Sequence, residues 1–83
     1  IFSFGLLGLY SINSYTYQLY KDGIKEIAKK VTEEAGEVSI AAVTNDGQVI
    51  NESADLVYHL LIMLRKLDMN FSDVLDELVT RSK

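Results

Sequence analysis

Apolar residues recur every three or four positions through the middle of the chain, the period of an amphipathic α-helix. The first such segment begins at Ile24 and ends near Thr44, before the turn-forming sequence Thr-Asn-Asp-Gly. A second apolar segment follows from about Val49 to Asp68. The pattern therefore predicts two long helices joined by a tight turn, an antiparallel hairpin. In the first segment the apolar positions are residues 24, 27, 28, 31, 35, 38 and 42.

Shorter helices are predicted on both sides of this hairpin. Ser14 is placed to cap a helix that runs to Asp22, and Gly23 would stop it. After a break at residues 69–70, Ser72 would cap a last helix that reaches about Thr80. No segment predicts a strand pair, a repeat or a linker, so residues 1–83 are expected to form a single all-α domain.

The second long helix carries more apolar surface than one partner helix can cover. Leu56, Ile62 and Met63 lie well away from its main apolar stripe at about 100° per residue. A chain of 83 residues also buries only roughly 60–65% of its unfolded surface. We therefore expect two copies to associate as a homodimer in a four-helix-type bundle. The main stripe consists of Ile50, Val57, Leu60, Leu61 and Leu64.

Composition excludes several classes of protein. The chain is 48% hydrophobic and has no Cys, which rules out a disulfide scaffold, a thiolate zinc site and a Cys nucleophile. The net charge of −4 argues against nucleic acid or an anionic membrane as a partner. Residues 1–13 form an atypical, uncharged N-terminal segment, too short for a membrane span and without the basic residues of a signal peptide. We expect this segment to pack against a neighbouring helix and the protein to be cytoplasmic.

Acidic residues are concentrated in the hairpin, where residues 31–64 contain six carboxylates and no Lys or Arg. Glu34 and Glu37 are spaced i, i+3 before the turn, and Glu52 and Asp55 have the same spacing after it. Because the helices run antiparallel, the two pairs can lie at the same level. Four carboxylates predict an all-oxygen site for Mg²⁺, with Mn²⁺ as second choice. The alternative is an ordinary solvated acidic face.

Three segments resemble phosphoribosyl-ATP pyrophosphohydrolase, the histidine-biosynthesis branch of the all-α NTP pyrophosphohydrolase superfamily. They are Ser-Tyr-Thr from Ser14, Lys-Lys-Val-Thr-Glu-Glu-Ala-Gly-Glu-Val from Lys29, and Glu-Ser-Ala-Asp-Leu-Val-Tyr-His-Leu-Leu from Glu52. The superfamily pattern Glu-Glu-x-x-Glu followed by Glu-x-x-Asp is present. The chain departs from the family in having Asn13 and Thr32 where Gly is usual, and an uncharged first segment.

The resemblance implies Mg²⁺-dependent hydrolysis of phosphoribosyl-ATP to phosphoribosyl-AMP and pyrophosphate. It implies Glu34, Glu37, Glu52 and Asp55 as metal ligands. Either Glu33 or the least engaged ligand, such as Glu34, would activate water. The candidates for phosphate contacts are Lys29, Lys30, Ser14, Tyr15 and Thr16, although a surface position explains Lys29 as well and helix capping explains Ser14 as well.

Other interpretations remain open. His59 is expected to be a hydrogen-bonded core residue more readily than a ligand, since imidazole suits softer metals. The resemblance leaves open a fusion or functional coupling to a phosphoribosyl-AMP cyclohydrolase. Two alternative functions are another all-α NTP or dUTP pyrophosphohydrolase and a non-catalytic helical dimerisation module.

Overall fold

The computed structural model describes the backbone of residues 6–82 and the side chains of residues 14–82. The prediction of an all-α fold is confirmed, and no strand occurs in this part of the chain. The expected packing of the first twelve side chains lies outside the described residues. In chain order the helices are α1 (Leu6–Asp22), α2 (Ile24–Thr44), α3 (Val49–Lys66) and α4 (Phe71–Arg81).

Helices α2 and α3 form the predicted hairpin, and α1 packs against both. The turn between α2 and α3 depends on two residues with positive φ, Asn45 at 53° and Gly47 at 80°. Asp46 supports the turn because its carboxylate accepts a hydrogen bond from the backbone N–H of Gln48 at 2.8 Å. Gly23, with φ of 99°, separates α1 from α2 as expected.

Two predicted helix caps are wrong. Helix α1 begins at Leu6, so Ser14 lies inside it instead of at its N-terminus. Ser costs a helix only a few tenths of a kcal/mol relative to Ala, and packing of Tyr15 and Leu19 against the hairpin outweighs that cost. The N-cap of α4 is Asn70, and Ser72 occupies the first turn.

The second long helix ends slightly earlier than predicted. Helix α3 stops at Lys66, and Leu67 is its C-cap. Asp68 then adopts a left-handed conformation with φ of 60°, which Asp tolerates better than most residues and which cannot continue a helix. The chain therefore leaves α3 two residues before the expected end.

The buried core is small and lies where α1, α2 and α3 meet. It consists of Leu19, Ile27 and Ile62, with Tyr15 and Tyr58 among the partly buried residues packed on it. Helix α4 contributes no buried residue. None of the described helices is both long enough and apolar enough to cross a membrane. The predicted cytoplasmic location stays a prediction.

Polar residues, instead of the predicted apolar stripe, form much of the surface between the hairpin helices. The buried positions of α3 are Asp55, His59 and Ile62, while Val57 and Ile50 of the stripe are 44% and 83% exposed. The buried positions of α2 are Ile27, Glu34 and Ala41. The hairpin thus encloses acidic side chains and leaves apolar ones uncovered.

Candidate metal centre

Three acidic side chains from two helices converge at the hairpin, where Glu34 is buried, Glu52 is half-buried and Glu37 is exposed. Glu34 lies midway along α2, Glu37 follows it one turn later, and Glu52 lies in the first turn of α3. One carboxylate oxygen from each can be chosen so that all three atoms lie within 4.8 Å of one another. The tight turn produces this arrangement because it sets the two antiparallel helices at a fixed register.

The cluster contains two buried oxygen atoms that no donor in the described part of the chain satisfies. Glu34 is only 7% exposed. Its Oε2 atom and the Oε2 atom of Glu52 are buried without a hydrogen-bond partner among the described residues. Burying a carboxylate oxygen unpaired is costly, and most such atoms have a partner. A cation between the helices would remove that cost, so these residues fit a hard divalent ion.

The pKa values of the three carboxyl groups shift in opposite directions because the groups lie close together. Burial, followed by the hydrogen bond to Glu37 and its charge, raises the pKa of Glu34. The hydrogen bond to Glu37, followed by burial, raises the pKa of Glu52. The pKa of Glu37 is lowered because it accepts hydrogen bonds from Glu52 and Glu34. Burial and the neighbouring carboxylates thus disfavour the ionised forms of Glu34 and Glu52, while the hydrogen bonds that Glu37 accepts favour its ionised form.

Asp55 lies beside the cluster, not within the group of three. It is 5% exposed and follows Glu52 by one helical turn. Its charge contributes to raising the pKa of both Glu34 and Glu52, so it acts on the same electrostatic environment. The structure therefore brings together three of the four predicted ligands and places the fourth next to them.

His59 is a hydrogen-bonded core residue in this structure, as the sequence favoured. It is 2% exposed. Its Nδ1 atom lies 2.6 Å from the backbone oxygen of Asp55, and its Nε2 atom lies 2.7 Å from the hydroxyl oxygen of Tyr15. The rings of Tyr15 and Tyr58 both meet the imidazole edge-on.

Tyr15 is the residue of the Ser-Tyr-Thr segment that reaches the hairpin interior. Burial and then the charges of Glu34, Glu33 and Asp55 raise the pKa of its phenol. Sequence reasoning gave Tyr15 no role separate from its neighbours. Its spacing of four from Leu19 is the signal that could have placed it on the buried face of α1.

The remaining candidate residues differ in their distance from the cluster. The Nζ atom of Lys30 lies 3.8 Å from an oxygen of Glu34. Lys29, Glu33 and Ser14 are exposed. Thr16 lines a separate groove of about 300 Å³ between α1 and α3, together with residues that include Tyr20, Tyr58 and Arg65.

A groove adjoins the cluster on the side of the turn. It has a volume of about 260 Å³ and is lined by Glu37, Glu52, Asp46, Gln48 and two apolar residues of α2. A larger groove of about 500 Å³ lies between the end of α3 and α4 and is lined by none of the clustered carboxylates. The groove beside the turn therefore offers a ligand direct access to two of the three acids.

Comparison with known proteins agrees with the resemblance seen in the motifs. A family model described as phosphoribosyl-ATP pyrophosphohydrolase matches residues 11–82. A phosphoribosyl-ATP pyrophosphatase of Pyrobaculum aerophilum is 51% identical over 71 residues, which cover 84% of this chain and 76% of the relative.

Bifunctional relatives are longer than this chain. A histidine biosynthesis bifunctional protein HisIE of Buchnera aphidicola (subspecies Baizongia pistaciae) is 52% identical over 71 residues, 84% of this chain but 34% of the relative. The corresponding protein of Staphylococcus epidermidis is 54% identical over 63 residues, 75% of this chain and 30% of the relative. The chain thus spans about a third of the length of these proteins. With the family model matched over residues 11–82, the chain belongs to the phosphoribosyl-ATP pyrophosphohydrolase family.

Proposed function

We propose that this chain hydrolyses phosphoribosyl-ATP to phosphoribosyl-AMP and pyrophosphate in histidine biosynthesis, and that the reaction depends on Mg²⁺. Family membership supports the substrate and the reaction. The observation that carries the proposal is the cluster of Glu34, Glu37 and Glu52, whose oxygens converge within 4.8 Å. Two of its buried oxygen atoms lack a hydrogen-bond donor among the described residues. A solvated acidic face would not bury them.

Glu34, Glu37 and Glu52 would hold the cation, and Asp55 is proposed as the fourth ligand. Bound Mg²⁺ would offset the repulsion between the acids and the triphosphate and polarise the phosphoryl group. Mn²⁺ has the same preference for oxygen ligands and is the expected substitute. The carboxylates would fix the position of the cation, because the turn holds α2 and α3 in register.

Other residues are proposed to act on water and phosphate. Glu33 is exposed and lies outside the cluster, so it is available to orient or deprotonate the attacking water; Glu34 is the second candidate. Lys30, which lies beside Glu34, would hold a phosphate oxygen as a point charge. Lys29, Ser14 and Thr16 are proposed to make weaker phosphate contacts at the periphery.

The partners follow from the uncovered surface and from the relatives. Exposed apolar side chains on α3, among them Val57 and Leu61, support a homodimer with a second copy of the chain. The bifunctional histidine-biosynthesis relatives support a fusion or functional coupling to a phosphoribosyl-AMP cyclohydrolase.

Release of pyrophosphate from phosphoribosyl-ATP, compared with release from ATP and dUTP, tests the proposed function. We expect release from phosphoribosyl-ATP alone, only with Mg²⁺ or Mn²⁺ present, and its loss in Glu37→Gln. Preference for ATP or dUTP would assign a different substrate within the superfamily. No release from any of the three, together with absence of Mg²⁺ binding, would favour a non-catalytic dimerisation module.

A further inference from the structure

A chain of two hydrogen bonds connects α1 to the edge of the acidic cluster. The hydroxyl group of Tyr15 on α1 lies 2.7 Å from Nε2 of His59. Nδ1 of the same imidazole lies 2.6 Å from the backbone oxygen of Asp55. Because His59 is 2% exposed, water has little access to replace either hydrogen bond.

The direction of both hydrogen bonds follows from donor and acceptor chemistry. A backbone carbonyl can only accept, so Nδ1 of His59 must carry a proton and donate it to Asp55. In a neutral imidazole Nε2 is then the acceptor. With the imidazole neutral, the hydroxyl group of Tyr15 donates to His59, and its proton is directed at the imidazole.

The carboxylates whose charges act on Tyr15 would be the competing acceptors for that proton. Glu34 has a buried oxygen atom without a donor among the described residues, and the negative charges of Glu34, Glu33 and Asp55 act on the Tyr15 hydroxyl. A hydrogen bond to a carboxylate is stronger than one to a neutral acceptor. A hydroxyl group released from His59 would gain by turning toward the acids, where it would compete with a cation.

We propose that His59 is a positioning residue that holds the Tyr15 proton away from the acidic cluster and so keeps its carboxylates available for the cation. This inference rests on the proposed Mg²⁺ site. It assigns His59 no contact with the metal or with substrate. The effect of changing His59 must therefore depend on whether Tyr15 still has a hydroxyl group.

Calorimetric titration with Mg²⁺ at pH 8, where imidazole side chains are ordinarily neutral, tests the inference. The variants are His59→Leu, which removes the acceptor, His59→Gln, which retains one, and Tyr15→Phe, alone and combined with His59→Leu. Tyr17→Phe is the matched control, since Tyr17 lies on the same helix and is 68% exposed. Circular dichroism checks that each variant is helical.

We expect His59→Leu to weaken Mg²⁺ binding about tenfold, as one misdirected hydrogen bond to a charged group would. His59→Gln, Tyr15→Phe and the double variant should each stay within about threefold of the unmodified protein. The inference is overturned if Tyr15→Phe itself binds about tenfold more weakly, or if the double variant is no better than His59→Leu. If His59→Leu does not fold, weakened Mg²⁺ binding by Tyr15→Phe or by His59→Gln still overturns the inference. Failure of the unmodified protein to bind Mg²⁺ would instead refute the metal site as well.

Discussion

At the scale of single residues, the cost of the site is concentrated on Glu34. Glu34 is 7% exposed and lies within the cluster made with Glu37 and Glu52. One weak ion pair, with Lys30 at 3.8 Å, offsets part of that charge. Burial of the Glu34 carboxylate lowers stability, so we expect the residue to serve function. Substitution of Glu34 can measure its effect on stability and its effect on Mg²⁺ binding separately.

Replacing Glu34 with Gln should stabilise the metal-free protein while abolishing its response to Mg²⁺. The amide has nearly the same shape but removes one of three repelling charges. We expect the melting temperature without divalent ions to rise by a few degrees, since ~1 kcal/mol corresponds to about 4–8 °C in a domain of this size. Mg²⁺ should raise the melting temperature of the unmodified protein but not that of Glu34→Gln. Glu26→Gln, at an exposed position of α2, is the control. Glu34→Gln that remains stabilised by Mg²⁺ would contradict the ligand assignment.

The stability of the metal-free protein should also depend on pH. Folding raises the pKa of Glu34 and of Glu52 above the ordinary value of 4.5. Their stabilising contribution is therefore complete below pH 4.5 and is lost as the pH rises through the raised values. Glu37 has a lowered pKa and contributes in the opposite direction, with stability lost below 4.5.

Because the contribution of Glu37 is already complete above pH 4.5, the raised pKa values of Glu34 and Glu52 predict that stability decreases as the pH rises from 4.5 toward neutrality. Urea unfolding at a series of pH values, with EDTA or with Mg²⁺, measures this dependence. Mg²⁺ should remove the decrease, because the ion binds the deprotonated carboxylates. If the metal-free protein becomes steadily more stable up to pH 7, repulsion between the ionised carboxylates does not destabilise it.

At the scale of secondary structure, the turn between α2 and α3 decides whether the acids meet. Glu37 and Glu52 lie on different helices, so their separation depends on the number and conformation of the residues between Thr44 and Val49. Gly47 has a φ of 80°, which an L side chain adopts at a cost. Asn45, the C-cap of α2, also adopts the left-handed conformation in this turn.

Two glycine substitutions should therefore have opposite effects. Gly47→Ala is expected to destabilise by about 1–2 kcal/mol, because the positive φ strains any side chain even though space is available. Gly36→Ala, inside α2 and equally free of neighbours within 4 Å, should stabilise by about 0.5–1 kcal/mol. Urea denaturation measures both. Equal effects of the two substitutions would mean that the turn imposes no conformational requirement.

The sequence predicted the hairpin and its acidic pairs well, because both depend on local rules. The i, i+3 spacing of Glu34 and Glu37 and the turn after Thr44 fix which positions face each other. The position of Asp55 outside the group of three could not be predicted, since it depends on how side chains orient between packed helices. The start of α1 was missed because Ser14 suits a cap and a helix interior almost equally.

At the scale of the whole molecule, apolar surface remains uncovered. Val57 and Leu61 on α3 are 44% and 38% exposed, and Leu78 on α4 is 57% exposed. The buried core of the described chain is limited to a few side chains around Ile27. The spacing along α3 predicted an apolar stripe, but spacing alone does not show which protein surface covers it. A second copy of the chain would bury these exposed apolar side chains.

A charge on this surface should dissociate the proposed dimer. Val57→Lys is expected to convert the protein to a monomer in sedimentation velocity, because burying an unpaired ammonium between copies is unfavourable. Ser39→Lys adds the same charge at an exposed position of α2 and should leave the dimer intact. If the unmodified protein already sediments as a monomer, the proposed association is wrong.

The proposed function requires acidic side chains from α2 and α3 to share one divalent cation. Crystals grown with Mn²⁺ test it most directly, because the anomalous signal of the ion locates it independently of the protein density. We expect a single strong peak bounded by the carboxylates of Glu34, Glu37 and Glu52, and no such peak in crystals of Glu34→Gln. Absence of a peak between these side chains at saturating Mn²⁺, or the same peak in the variant, would contradict it.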